Sequence, residues 1–177
     1  MFVIDGSENV STVDFLHEVT FVASIPTQYN VSPNHVRFGV ILYGSQVTSK
    51  ISIVPNIENN QFVNEVTQLK QGGGQPLLFR ALTEVRKEFS KNFRDGSKQI
   101  AIVIISDKLH NRHAVMREVG YLRKAGVTVL PVGVGQGVQE SDLRDLLTFA
   151  NPIHRINNFS DLYRLSKDIY NSVCRGK

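Results

Sequence analysis

At 177 residues, with 41% apolar and 20% charged side chains and a mean hydropathy of −0.13, the chain has the composition of an ordinary globular domain, which excludes a fibrous or disordered one. The 20 Lys and Arg against 16 Asp and Glu leave a formal charge of +4, an excess that permits an acidic partner without demanding one. The longest apolar runs fall far short of the roughly 20 residues that a membrane-spanning helix needs, no signal-peptide pattern opens the sequence, and the single cysteine, Cys174, cannot form an internal disulfide.

In chain order, strand and helix patterns alternate. Phe2-Val3-Ile4 is a short apolar run ending at Asp5, and residues 13–25 then carry apolar side chains at helical spacing up to Pro26. Residues 36–43, rich in β-branched and aromatic side chains, and residues 47–54, ended by Pro55, flank the turn signal Gly44-Ser45 and read as a hairpin. Residues 61–69 predict a short helix, Gly72-Gly73-Gly74 breaks it, and residues 77–89 resume with Leu78, Ala81, Leu82 and Val85 on one face.

Residues 100–105 are apolar without interruption, as a central parallel strand covered on both faces would be, and end at Ser106-Asp107. A helix over 113–124 closes at Gly126, and a second buried strand over 127–134 is followed by Gly135. A helix over 141–149 with Ser141 as its cap, a short edge strand over 153–156 and a final helix over 160–173 complete the chain.

This alternation predicts one α/β domain over residues 1–177. Its sheet is doubly wound, six-stranded and mostly parallel, with helices on both faces and one antiparallel edge strand from the hairpin. Ligands of such sheets bind beyond the carboxyl ends of the strands, where the winding reverses. If the first strand lies beside 100–105, Asp5 and Asp107 converge there.

Basic residues crowd segments 86–98 and 112–124, and the aromatics are not interleaved with them as a nucleic-acid platform would require, so they read as solvated helix faces; sulfated glycosaminoglycan is a second option for them. His110 and His113 lack a third nitrogen or sulfur ligand for a transition metal and read as exposed positions at a helix start. Gly133-Val134-Gly135-Gln136-Gly137 follows a late strand, lacks the final glycine of a dinucleotide loop and reads as a turn. N-x-S sequons at Asn9, Asn30 and Asn158 are glycosylation candidates in a secreted protein.

The stretch Phe2-Val3-Ile4-Asp5-Gly6-Ser7-Glu8-Asn9 resembles the first strand and metal loop of von Willebrand factor A domains, an apolar run followed by Asp-x-Ser-x-Ser. Val36-Arg37-Phe38-Gly39-Val40 is similar to the family's second strand, residues 72–82 to its glycine loop and helix, residues 102–107 to its strand ending in aspartate, and residues 126–135 to its Gly-x-x-v-x-x-v-G-v-G segment. Asp142-Leu143-Arg144-Asp145-Leu146 is similar to the helix that follows, so the resemblance covers nearly the whole chain. Its tone is that of the matrix members, collagen VI alpha chains and matrilins.

The resemblance implies a metal-ion-dependent adhesion site in which Asp5, Ser7 and Asp107 keep the family's residues. Asn9 stands for the second serine, and Pro76, which has no side-chain oxygen, for the threonine. Gln75 is the neighbour that could replace that oxygen, and a glycan on Asn9 would stand on the mouth of the site. The expectation is a degenerate site with weakened Mg²⁺ binding and no other cofactor. Without a metal, Asp5 and Asp107 would serve as acceptors for loop N–H groups and Ser7.

The function implied is a non-enzymatic, secreted interaction or adhesion module of the extracellular matrix, with collagens or other matrix components as partners and no nucleic acid or membrane insertion. A structural spacer in a collagen-like array is the alternative. A phosphotransferase built on Asp5 is disfavoured, because Ser7 stands where a second aspartate would be needed and no Gly-Lys-Ser/Thr occurs.

Overall fold

The uninterrupted apolar run becomes the middle of a sheet because its side chains alternate between two cores. In the computed structural model, which describes residues 1–29, 35–54, 58–149 and 152–174, the elements are β1 (Phe2–Asp5), α1 (Thr12–Ser24), β2 (Val40–Tyr43), β3 (Val47–Ile51), α2 (Asn59–Thr67), α3 (Leu78–Lys91), β4 (Ile100–Ile105), α4 (Arg112–Lys124), β5 (Thr128–Val134), α5 (Glu140–Leu146), β6 (His154–Ile156) and α6 (Ser166–Cys174), with 3₁₀ turns over Ile25–Gln28 and Phe159–Leu165. The strand order is β3-β2-β1-β4-β5-β6. Every pairing is parallel except β2 with β3. Phe2 faces Val40 on one side and Ile102 on the other, so the first strand lies beside 100–105 and the winding reverses between β1 and β4.

Phe2, Ile4, Leu42, Ile102 and Ile104 pack against α1, α2 and the C-terminal segment. Val3, Ile41, Val103 and Ile105 pack against α3, α4 and α5. Each such fully buried side chain contributes about 1.5–3 kcal/mol, enough in sum to make the strand positions rigid supports for the loops they end in.

Several boundaries differ from the sequence reading. The predicted strand over 36–43 shortens to β2 because β3 ends at Ile51 opposite Val40, and β1 begins its pairing at the same level; residues 37–39 have no ladder on either side. β3 likewise stops at Ile51. Pro26 does not stop the chain's helical course: it sits in the first turn of a 3₁₀ segment, where a missing N–H leaves no bond unmade. Gln139 occupies the cap position of α5 without a side-chain bond, and Ser141 lies inside the helix, which ends at Leu146. The final helix is two segments, 3₁₀ then α. Asn30 and Pro55 lie outside the described residues, as does the side chain of Cys174.

Candidate functional site

Asp5 is the last residue of β1 and Ser106-Asp107 follow β4, so the two central strands deliver both carboxylates to one end of the sheet. Asp5 is buried there. Its Oδ1 accepts the Ser7 N–H at 2.9 Å and its Oδ2 accepts the Ser106 hydroxyl at 2.8 Å. Ser7 is buried as well, and its Oγ accepts the Asn9 N–H at 3.4 Å. Burial pushes the Asp5 carboxyl above its ordinary pKa, the hydrogen bonds from Ser7 and Ser106 oppose that rise, and the negative charge of Asp107 adds to it.

Asp107 is half-exposed at the mouth. Its Oδ1 accepts the Lys108 N–H at 2.8 Å, and its Oδ2 accepts the Asn9 side-chain amide at 3.0 Å. The amide is oriented by this contact, since the opposite flip would set two oxygens against each other. His110 brings Nε2 to 3.5 Å of the same Oδ2. The Gln75 amide turns outward and donates to Glu8 at 2.8 Å. Pro76 lines the residual cleft with Asp5, Tyr43, Ser106, Asp107 and His110; the space is about 10 Å³, about the lower limit for a single water.

The loops that carry these groups are laced together. Gly73 and Gly74 adopt φ of 70° and 73°, a region costly for other residues, and this bends the loop so that Gly73 N–H reaches Gly6 O at 2.7 Å and Gly74 O accepts Glu8 N–H at 2.9 Å. A side chain on Gly44 would put its Cβ 2.1 Å from the Gly73 oxygen, so the hairpin turn can approach the loop only as glycine. Gln71 adds bonds to the oxygens of Ser7 and Val10 at 3.0 and 2.6 Å. Ser11 caps α1 by accepting the Asp14 N–H at 3.1 Å.

Three participants escaped the sequence reading. Glu18, on the inner face of α1, is fully buried, and neither carboxyl oxygen has a hydrogen-bond partner among the described residues. Burial first, and then the nearby Asp5 charge, hold its pKa well above the ordinary value; the Asp5 backbone opposes the shift from outside hydrogen-bonding geometry. A carboxylate interrupting the apolar stripe Phe15, Val19, Val22 was the available signal. Arg112, at the start of α4, pairs with buried Asp142 and with Asp145 of α5, and Asp142 Oδ2 accepts the Leu109 N–H at 3.1 Å. That clamp pins residues 106–111. His110, read from sequence as exposed, is instead half-buried against Asp107 because the loop turns through Asn111 at φ 52°. His113 is exposed.

The assembled groups offer a polar surface of hydrogen-bond donors and acceptors around a closed cleft. Among the described residues no cluster of three His, Cys, Asp or Glu is placed to hold a metal, and no helix is long and apolar enough to cross a membrane. Asn158 is exposed just beyond β6, while the Asn9 amide is engaged.

Comparison with known proteins gives the lineage. The chain is 25% identical to the human (Homo sapiens) collagen alpha-6(VI) chain, over 98% of its own length and 8% of that protein, and 23% identical to mouse (Mus musculus) matrilin-2, over 98% of its length and 19% of that protein. It thus spans a small part of the curated relatives it matches. Proximal thread matrix protein 1 from the mussel byssus superposes with a TM-score of 0.88 at 20% identity, covering 98% of this chain and 45% of that one; that protein is also known with a zinc-occupied MIDAS motif. At that identity the likeness shows the fold. The model of the von Willebrand factor type A domain matches residues 1–168, and the chain belongs to that family.

Proposed function

We propose that this domain is a non-enzymatic, secreted interaction module of an extracellular matrix protein, and that it meets its partner through the rim around Asp5, Asn9 and Asp107 with protein hydrogen bonds in place of a tightly held metal. The observation that carries this reading is the Asn9–Asp107 bond of 3.0 Å across the mouth. It directs an N–H at the carboxylate that a cation would need.

The rest of the oxygen set is equally ill-suited. Mg²⁺ asks for near-octahedral oxygen ligation, whereas Pro76 supplies no side-chain oxygen, Gln75 faces Glu8, and both Asp5 oxygens already accept bonds. The residues present therefore do not fit a tight Mg²⁺ site. A cleft of about 10 Å³ is far below the 300–1,000 Å³ of ordinary ligand pockets, which supports surface contact over catalysis. The matrix relatives support the location and the class of partner, collagens or other matrix components.

A second reading, a spacer in a larger array, is favoured by the small fraction of each relative that the chain spans. Surface plasmon resonance over immobilised collagens and matrix extract separates the two. The interaction reading expects saturable binding that survives EDTA and falls at least fivefold in Asp107→Ala and in His110→Ala. Binding lost in EDTA would refute the metal-free rim, and no binding at any concentration would favour the spacer.

A further inference from the structure

Helix α4 turns toward solvent a face that carries basic side chains and no acidic one. His113, Arg117 and Lys124 follow one another at helical spacing and are exposed, in a line about 16 Å long at 1.5 Å per residue. Gly120 lies within that line, and a Cβ built there would meet no atom within 4 Å, so nothing projects between the cations. Arg123 flanks the line on the α5 side, where it donates to the Leu147 and Thr148 carbonyls at 2.8 and 3.0 Å. Arg86 of α3 flanks it on the other, its guanidinium 5.3 Å from the centre of the exposed Tyr121 ring. The one acid of α4, Glu118, is buried beneath the face and paired with Arg86 at 3.1 Å. The acids of the neighbouring helices are engaged as well: Asp142 and Asp145 with Arg112, Glu140 with Arg144, Glu84 and Glu88 with Lys50. Among the described residues nothing pairs with Arg117 or Lys124.

We infer that the outer face of α4 is a docking surface for a sulfated glycosaminoglycan, which lies along the helix with its sulfates against Arg117 and Lys124 and its edges toward Arg86 and Arg123. Charge and shape both point there. The cations of this face exceed the acids within their reach, and an oxyanion that meets them gains charge-assisted hydrogen bonds. Arg123 and Lys124 also complement the carbonyl end of their own helix, but Arg117, in its middle, has no such role. The face is convex and linear, unlike the concave sites of compact ligands, and it suits a chain whose charges recur along its length. Each exposed contact is weak, and several engaged together add up. The choice of a polysaccharide among polyanions rests on the matrix location proposed above; the basic face itself does not, and neither Asp5 nor Asp107 takes part in it.

Calorimetry and ¹⁵N chemical-shift mapping with a heparin octasaccharide, an unsulfated hyaluronan octasaccharide and poly-L-glutamate test it. The heparin fragment should bind saturably, with shifts concentrated at residues 113–124 and at Arg86, and should weaken as salt rises. Hyaluronan, which lacks sulfate, and polyglutamate, whose flexible backbone loses more freedom on binding, should bind roughly tenfold more weakly. Arg117→Gln and Lys124→Gln should each weaken heparin about threefold, whereas Lys167→Gln, which removes the same charge from an exposed position on α6, should not. Gly120→Glu sets a carboxylate into the middle of the line, where there is room for it. It should abolish heparin binding while the melting temperature holds or rises, since glycine is a poor helix former. Asp107→Ala should leave heparin binding unchanged, so that failure of this face and failure of the rim are read apart. The inference is overturned by the absence of saturable heparin binding, by shifts centred on residues 94–98, or by an affinity that survives Gly120→Glu or falls equally in Lys167→Gln. Polyglutamate binding as tightly as heparin also overturns it, in favour of an acidic protein segment.

Discussion

The two ends of this sheet are built from the same strands and solve opposite problems. At the carboxyl end, polar side chains face one another: Asp5 with Ser7 and Ser106, Asn9 with Asp107, Glu8 with Gln75. They satisfy one another and draw the space down to about 10 Å³. At the amino end, large apolar side chains such as Phe2, Phe38 and Ile102 line the space, and about 260 Å³ stays open. A set of groups that completes its own hydrogen bonds closes a cleft and presents a surface, whereas apolar side chains, which make no directional bonds, leave space between them.

This contrast can be broken from the rim side. Arg112→Ala removes the partner of buried Asp142 and should cost about 3 kcal/mol, the largest effect expected, read by urea unfolding. The structural change should stay within residues 106–112 and 140–146, read by ¹⁵N chemical shifts; shifts at residues 35–38 and 94–102 would mean the ends are coupled.

Glu18→Gln sharpens the contrast by removing a buried carboxyl that has no partner. Its folded pKa lies well above the unfolded value near 4.5, so the unfolded chain releases its proton first as pH rises. The stability that the neutral acid allows is fully present below about 4.5 and is lost as pH climbs through the folded pKa. The variant should therefore match the parent near pH 4 and gain about 2 kcal/mol by pH 8, mid-range for a buried polar group without a partner. Thermal melts at the two pH values read it, and an equal gain at both would contradict the assignment.

The smallest effect is expected from Asn9→Ala. Its bond to Asp107 is exposed, so stability should change by only about 0.5 kcal/mol. Freed of the amide, the Asp107 carboxyl carbon should change its ¹³C chemical shift at fixed pH, and an unaltered shift would mean that the bond is not formed in solution.

Much of this was legible in the sequence because it depends on period and order. The run at 100–105 marked β4 as a central strand and the alternation of elements gave a mostly parallel sheet, whereas the adjacency of β1 to β4, on which the convergence of Asp5 and Asp107 depends, was only a condition that the pairing of Phe2 with Ile102 meets. Residues 37–39 were misread because their β-branched and aromatic character is that of a strand, while pairing depends on how far β1 and β3 extend. The site residues Asp5, Ser7, Asn9 and Asp107 could be named, but not the bonds among them. The Asn9–Asp107 contact depends on loop positions set by Gly73 and Gly74, and the Arg112 clamp on the register of α4 against α5. Such long-range side-chain pairings leave no periodic trace.

Calorimetric titration of Mg²⁺ and Mn²⁺ into the EDTA-stripped, glycan-free domain, with Asp5→Ala as control, tests most directly whether hydrogen bonds and not a metal hold the rim. A rim held by hydrogen bonds gives no saturable heat at millimolar metal. A one-site heat that disappears in Asp5→Ala would contradict it, since Asn9 would then have to release Asp107 and turn its oxygen to the ion.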